Sequence, residues 1–403
     1  MKVKLAEDTI SKAELKQLSE WVIETNQLTK GPLTSQFEEE FSKYFGVKHS
    51  VFVNSGSSAN LLMAYSLQES GYLKNKKVIV PAVSWITTLS PFLQLGYEVI
   101  LCDSDKQNLG LDLDHFEQLC KEHNPALAIL VHILGHPNSM NSLQDVCKKY
   151  DVLLIEDACE ALGTKYEDKF TGNLSLAGSF SFYFGHHIST IEGGIVTTND
   201  TNLYNIMLSI RSHGWARDLQ SEYQENWQKE FKIDEFRNLY TFYYAGYNLR
   251  STDLNAFLGL LQIKKLDNII KVRQDNFNFY KQLLSEKYWC QSSENSLLSS
   301  FAYGTFVKNR LEVSRYLKAN EIECRPLVCG SMGRQPFWIK KFGETRLPVA
   351  DIVHDYGLYL PNHLGIDKNK IMYIADKFNQ IAIPLTFELT TKERERVEKI
   401  TAA

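Results

Sequence analysis

Between residues 76 and 157 the chain alternates apolar runs of strand length with segments of helical periodicity. KKVIVP, EVILCD, ALAILVH and DVLLIED supply four strands, and helical intervals lie at 84–93, 112–122 and 140–149. This alternation argues for a mostly parallel sheet covered by helices. Further strands are expected at 50–53, 176–182 and 194–198. Helices are expected at 12–24, 35–44, 56–69 and 201–213, with Lys30-Gly31-Pro32 breaking the chain between the first two. Residues 214–247 are polar and aromatic with less regular periodicity, and read as a mobile or substrate-binding insertion. A long helical pattern runs from near Thr252 toward residue 286. The chain is therefore read as α/β, with a large mostly parallel sheet domain at 1–259 and a smaller C-terminal α+β domain at 260–403.

At 403 residues the chain is long enough for a large core and two domains. A formal charge of -4 gives no general support for binding nucleic acid or an acidic membrane. The opening MKVKLAEDTISKAELK lacks the apolar core of a signal peptide, and no apolar stretch approaches a membrane span, so a cytoplasmic protein is expected. The seven cysteines form no CxxC pair, and no metal site is read from them.

Ligands of such sheets bind beyond the carboxyl ends of the strands. The residues emerging there are Asn54 to Ser58, Trp85, Asp157 with Glu160, and the segment from Ser181 through His186. Gly56, Ser57 and Ser58 suit a phosphate: glycine permits close approach, serines donate, and the following helix presents unpaired N–H groups. A simple helix cap is the alternative. Trp85 is able to cover a flat ring or to pack at the sheet edge. Asp157 is open to capping the next helix. His186 and His187 either move protons near neutral pH or satisfy a polar turn.

Four segments carry a resemblance to the sugar aminotransferase/dehydratase family of fold-type-I pyridoxal-phosphate enzymes: NSGSSAN at 54–60, EDACEALG at 156–163, SFYFGHHISTIEGG at 181–194 and GYNLRSTDLNA at 246–256. The resemblance covers most of the chain and implies the fold-type-I transferase fold. It assigns the cofactor phosphate to Gly56, Ser57, Ser58 and Ser181, the cofactor ring nitrogen to Asp157, ring support to Glu160 and ring cover to Trp85. Asn248 matches an asparagine that reaches the phosphate in the neighbouring subunit, which implies a homodimer with shared active sites. Arg250 and His187 are read as substrate contacts, His187 alternatively as support.

Counting back from Glu192-Gly193-Gly194 puts His186 where the family has lysine. A lysine amine forms a Schiff base with an aldehyde cofactor and imidazole ordinarily does not, but imidazole still transfers protons. The resemblance therefore implies a lyase: 3-dehydration of a nucleotide-linked 4-keto-6-deoxy sugar, with GDP-4-keto-6-deoxy-D-mannose favoured. Pyridoxamine 5'-phosphate would be the cofactor, cycling through pyridoxal 5'-phosphate, His186 the catalytic base, and L-glutamate the amino donor. Residues 187–289 contain no cysteine, so no iron–sulfur cluster and no reductase partner are expected. A sugar-nucleotide 4-aminotransferase, a dehydratase of a CDP-linked sugar and a noncatalytic sugar-nucleotide sensor remain as alternatives.

Overall fold

The computed structural model describes residues 1–294 and 297–385. Residues 386–403, which the sequence reading placed in the C-terminal domain, lie outside the described residues. In chain order the strands are β1 (His49–Val53), β2 (Lys77–Pro81), β3 (Glu98–Cys102), β4 (Leu127–Val131), β5 (Leu153–Asp157), β6 (Lys165–Tyr166), β7 (Lys169–Phe170), β8 (Ala177–Ser181), β9 (Gly194–Thr198), β10 (Tyr303–Phe306), β11 (Arg325–Pro326) and β12 (Gly357–Leu360). The strands expected from the sequence agree with these to within two residues at either end. β6 and β7 form a small separate ribbon.

Seven strands make the large sheet, in the order β1-β9-β8-β5-β4-β2-β3. β9 alone runs against its neighbours; the pairs from β8 through β3 are parallel. β4, an interior strand, is buried throughout, as its unbroken run of apolar residues requires. The reversal of β9 sets Gly194 opposite both Ser181 and Val53, so the loop before β9 lies at the carboxyl edge where β1 and β8 end.

The helices of the large region are α1 (Lys12–Glu24), α2 (Pro32–Phe45), α3 (Gly56–Glu69), α4 (Ile86–Gln94), α5 (Leu113–His123), α6 (Met140–Tyr150) and α7 (Thr201–Arg211), with α3 packed on β8 and β9. α2 begins at Gly31-Pro32, where the N-cap has no side chain to offer. Asp253 replaces it from far along the sequence, accepting from the backbone N–H groups of Gly31 at 2.7 Å and Thr34 at 2.9 Å. α2 then turns Phe37 and Phe41 into an aromatic cluster with Phe52 and Phe182.

The segment at 214–247 contains α8 (Ser221–Phe231) and α9 (Glu235–Asn238), neither of which buries a residue. The single helix expected from Thr252 toward residue 286 is two: α10 (Asp253–Ile263) and α11 (Leu266–Leu284). The apolar periodicity continues across the join, but Lys265 is drawn out of it, its Nζ bonding the Thr9 carbonyl at 2.9 Å and the Glu14 carboxylate at 2.8 Å.

Beyond α11 the chain builds a three-stranded antiparallel sheet, β10-β12-β11, with α12 (Arg310–Ala319), α13 (Pro336–Phe342), α14 (Pro348–Tyr356) and α15 (Lys368–Ile381). Its core is a separate cluster that includes Tyr280, Tyr303, Leu317, Ile322, Leu358 and Phe378. Val3 bridges to Ile322, so the first residues pack on this smaller region. Asp103, just past β3, ties the two regions together by accepting from the N–H groups of Val349 and Ala350 at the start of α14. No helix among the described residues is long and apolar enough to cross a membrane.

Candidate active site

A cavity of about 480 Å³ opens where β1, β5 and β8 end, and residues of the smaller region close its other side. Its floor is the start of α3. Ser55 is the N-cap: its backbone is extended and its Oγ accepts from the Ser58 N–H at 3.1 Å. The N–H groups of Gly56 and Ser57 come before the first intrahelical bond and remain for a ligand. Close packing explains the glycines here. A Cβ on Gly56 would stand 2.6 Å from the Cβ of Ser181, and one on Gly194 would stand 2.4 Å from the carbonyl of Ser55. Glu192-Gly193-Gly194 thus closes the loop that leads into β9. Asn255 Nδ2 fixes the loop, donating to the carbonyls of Thr190 at 2.6 Å and Glu192 at 3.1 Å.

Asp157 ends β5 and is 4% exposed. Its Oδ2 accepts from Asn60 Nδ2 and from Thr88 Oγ1, both at 2.8 Å, and Ser179 Oγ in turn donates to Asn60 Oδ1 at 2.6 Å. This chain of donors fixes the carboxylate at the cavity wall. Oδ1 accepts from the Cys159 N–H at 3.2 Å, which is an Asx-type turn and not the helix cap considered from sequence. Glu160 also lines the cavity, and its carboxylate accepts from the Leu134 N–H at 2.8 Å. Burial raises its pKa to about 7; the Leu134 bond opposes that rise and the nearby Asp157 adds to it.

His186 lines the cavity and His187, its neighbour, does not. The His186 ring meets Phe301 edge-on, with centroids 5.3 Å apart. Its Nδ1 is buried without a partner among the described residues, which leaves Nε2 as the nitrogen open to the cavity. Burial, then the charge of Arg273, lowers the His186 pKa to about 4, so the ring is neutral at pH 7. Arg273 is buried in α11 and donates to the carbonyls of Phe301 at 3.0 Å and His186 at 3.4 Å. His187 is fully buried with Nε2 3.0 Å from the Ser299 carbonyl. That corrects its reading as a substrate contact: the ring points into the core, and the reading as support is the one its position fits.

The cavity thus gathers Gly56, Ser57, Trp85, Asp157, Glu160, Ser181 and His186 from the residues singled out by sequence. Trp85, 58% exposed, stands at the N-cap position of α4 and lines the cavity. Ser58 stays outside the lining, its Oγ donating to Asn54 Oδ1 at 2.5 Å. Asn248 and Arg250 are also outside it: Arg250 Nε donates to Asn248 Oδ1 at 3.0 Å, and Arg250 Nη2 lies 3.2 Å from His213 Nε2. Asn60, Thr88 and Arg325 were not singled out. A buried Asn within the apolar stretch ANLLMAY was a usable signal for the first; Thr88 and Arg325 carried none.

Residues 9–379 match the model of the family described as the DegT/DnrJ/EryC1/StrS aminotransferase family. The chain is 36% identical over 371 residues to GDP-4-keto-6-deoxy-D-mannose 3-dehydratase of Yersinia pseudotuberculosis, covering 89% of this chain and 93% of that one. It is similar to the structure of the Escherichia coli GDP-4-keto-6-deoxy-D-mannose-3-dehydratase with bound hydrated PLP, at 30% identity, TM-score 0.85 and coverage of 94% and 100%. A structure of such a dehydratase with a trapped PLP-glutamate geminal diamine is similar at 30% identity, with a TM-score of 0.84 and coverage of 93% and 99%.

Proposed function

The chain belongs to the DegT/DnrJ/EryC1/StrS aminotransferase family, and on that ground we propose that it catalyses the 3-dehydration of GDP-4-keto-6-deoxy-D-mannose, with pyridoxamine 5'-phosphate as cofactor and L-glutamate as the amino donor that restores it. One observation carries the reading: the cavity wall holds His186 and Asp157 but no lysine among the described residues. The site can transfer protons and hold a charged ring, yet it has no amine to tether an aldehyde.

The residues present fit such a cofactor. Gly56 and Gly194 let the N-terminus of α3 pack closely against Ser181 and β9, and there Ser57 and Ser181 add hydroxyls beside the helix N–H groups for a phosphate. Asp157, held by Asn60 and Thr88, suits a protonated ring nitrogen, and Trp85 supplies an aromatic face. When bound, the cofactor supplies an amine for the C4 ketone and a conjugated ring that accepts electrons.

In this reading His186 Nε2 takes and returns protons. Because burial and Arg273 keep the ring neutral, it is in the proton-accepting form at pH 7, and an anionic ligand in the cavity offsets the Arg273 charge and strengthens it as a base. Arg273 also ties the His186 carbonyl to the 300–301 segment, which holds the imidazole in place. The loss of the C3 hydroxyl requires a proton donor, and His186, having taken one, can give it.

We further read the protein as a homodimer in which Asn248 and Arg250 serve the partner's cavity. What supports this is their absence from their own cavity's lining and their clustering with His213 next to the exposed segment that carries Phe236, Tyr240 and Phe242. The division into a cofactor domain at 1–259 and a small domain at 260–403 is part of the same proposal, supported by the two separate sheets.

The decisive test is incubation of the protein with pyridoxamine phosphate, L-glutamate and a panel of GDP- and CDP-linked 4-keto-6-deoxy sugars. Loss of the C3 oxygen by mass spectrometry, with release of ammonia, is expected for the GDP-linked mannose form. A stable 4-amino sugar would replace the reading with an aminotransferase, and binding without turnover would replace it with a sensor.

A further inference from the structure

The cavity wall carries four carboxylates, Asp157, Glu160, Glu192 and Glu323, against a single arginine, Arg325, and no lysine. Arg325 is on β11, directly across from Tyr359 of β12, and both residues line the cavity. Among the described residues its side chain makes one hydrogen bond, to the carbonyl of the adjacent Cys324 at 3.0 Å, and no carboxylate pairs with it. Glu323, two residues before it, is occupied elsewhere, accepting from the Leu5 N–H at 3.1 Å. A guanidinium presents a planar fork of donors that matches a carboxylate or a phosphate in a two-point contact. Arg325 is therefore the side chain that lets an anion enter a wall of carboxylates.

The reaction proposed above brings two kinds of anion to this cavity: the carboxylates of the amino donor and the diphosphate of the sugar nucleotide. Covalent structure separates them. The α-carboxylate of an amino acid is one bond from the carbon that reacts. The diphosphate hangs from C1 of the sugar, across the ring from the ketone at C4. Arg325 and Tyr359 stand side by side across the β11–β12 pair and line the same cavity as Glu160 and Asp157, where the chemistry takes place. We propose that Arg325 is the residue that recognises the amino donor, by binding one of its carboxylates. The assignment rests on the reading of the site as a glutamate-restored dehydratase.

Glutarate is the probe of choice, because it has both carboxylates and neither an amine nor a ketone, so it binds without turnover. The protein loaded with pyridoxamine phosphate is titrated calorimetrically with glutarate and, separately, with GDP, as wild type, Arg325→Gln and Arg325→Lys. The cofactor's absorption spectrum in each variant verifies that the cavity is intact. Arg325→Gln is expected to weaken glutarate roughly tenfold to a hundredfold, the scale of a lost charge-assisted hydrogen bond, with partial recovery in Arg325→Lys and GDP affinity within about twofold of wild type. Weakened GDP with unchanged glutarate would assign the guanidinium to the diphosphate and overturn the proposal. Unchanged affinity for both, or a wild-type protein that does not bind glutarate, would also overturn it. Failure of the underlying reading looks different: wild type binds glutarate but removes oxygen from no sugar.

Discussion

Glu160→Gln tests whether the cavity holds a carboxyl that titrates near neutral pH. Glutamine keeps the shape, and its Oε1 can still accept from the Leu134 N–H that now binds the carboxylate at 2.8 Å; what changes is the ability to ionise. Burial, the largest cause, carries the Glu160 pKa from an ordinary 4.5 to about 7 in the folded protein. An acid whose folded pKa is raised binds its proton more tightly when folded, so its contribution to stability declines as pH rises above the unfolded value and reaches its full cost above the folded one. At about 1.4 kcal/mol per pH unit, that cost is about 1 kcal/mol at pH 5 and about 3 kcal/mol at pH 8. The cofactor-free variant should therefore gain about 2 kcal/mol over wild type between pH 5 and pH 8, read from urea unfolding at fixed protein concentration. In parallel, an infrared carbonyl band of a protonated carboxyl should disappear near pH 7 in wild type and be missing in the variant. A stability difference that does not change with pH would refute the raised pKa, and with it the picture of a desolvated carboxyl beside Asp157.

Three other outcomes follow from the geometry. His186→Gln should slow turnover by roughly 10²- to 10⁴-fold, the usual share of a positioned acid–base group, while pyridoxamine phosphate affinity by spectral titration stays within about twofold; an equal loss in binding would make His186 a cofactor anchor instead. Gly56→Ala should weaken the cofactor and lower the unfolding midpoint together, since its Cβ would stand 2.6 Å from Ser181 Cβ, and unchanged binding would show that the cradle yields. His132→Leu removes a buried partner of Glu156 at 2.9 Å, but Gly172, Leu174 and Ser175 still donate to that carboxylate, so a loss of about 1.5–3 kcal/mol is expected from chemical unfolding. A loss below about 0.5 kcal/mol would show that the remaining donors suffice.

The strands from β1 to β9 in the large sheet and the helix that opens at Gly56 were legible in the sequence, because each depends on neighbours within a few residues, apolar runs and a glycine-serine turn; a histidine at 186 where the family has lysine was legible only through the resemblance, by its distance to Glu192-Gly193-Gly194. Asp157 was legible as a residue at the end of an apolar strand. Its environment was not, since Asn60 and Thr88 reach it from two other helices, 97 and 69 positions away. Tertiary structure also separated the two histidines. Adjacent side chains leave a bent backbone in different directions, so His186 faces the cavity while His187 bonds the Ser299 carbonyl, 112 positions on. The break at Lys264 and Lys265 was hidden for a like reason: the apolar period continues through it, and the acceptors that draw Lys265 aside are the Glu14 carboxylate in the first turn of α1 and the Thr9 carbonyl before it. Local sequence determined the sheet, the glycine-serine turn that opens α3 and the histidine at 186; the fold alone decided which distant donors hold the carboxylate, which histidine faces the cavity, and that an arginine from the smaller sheet faces the same cavity.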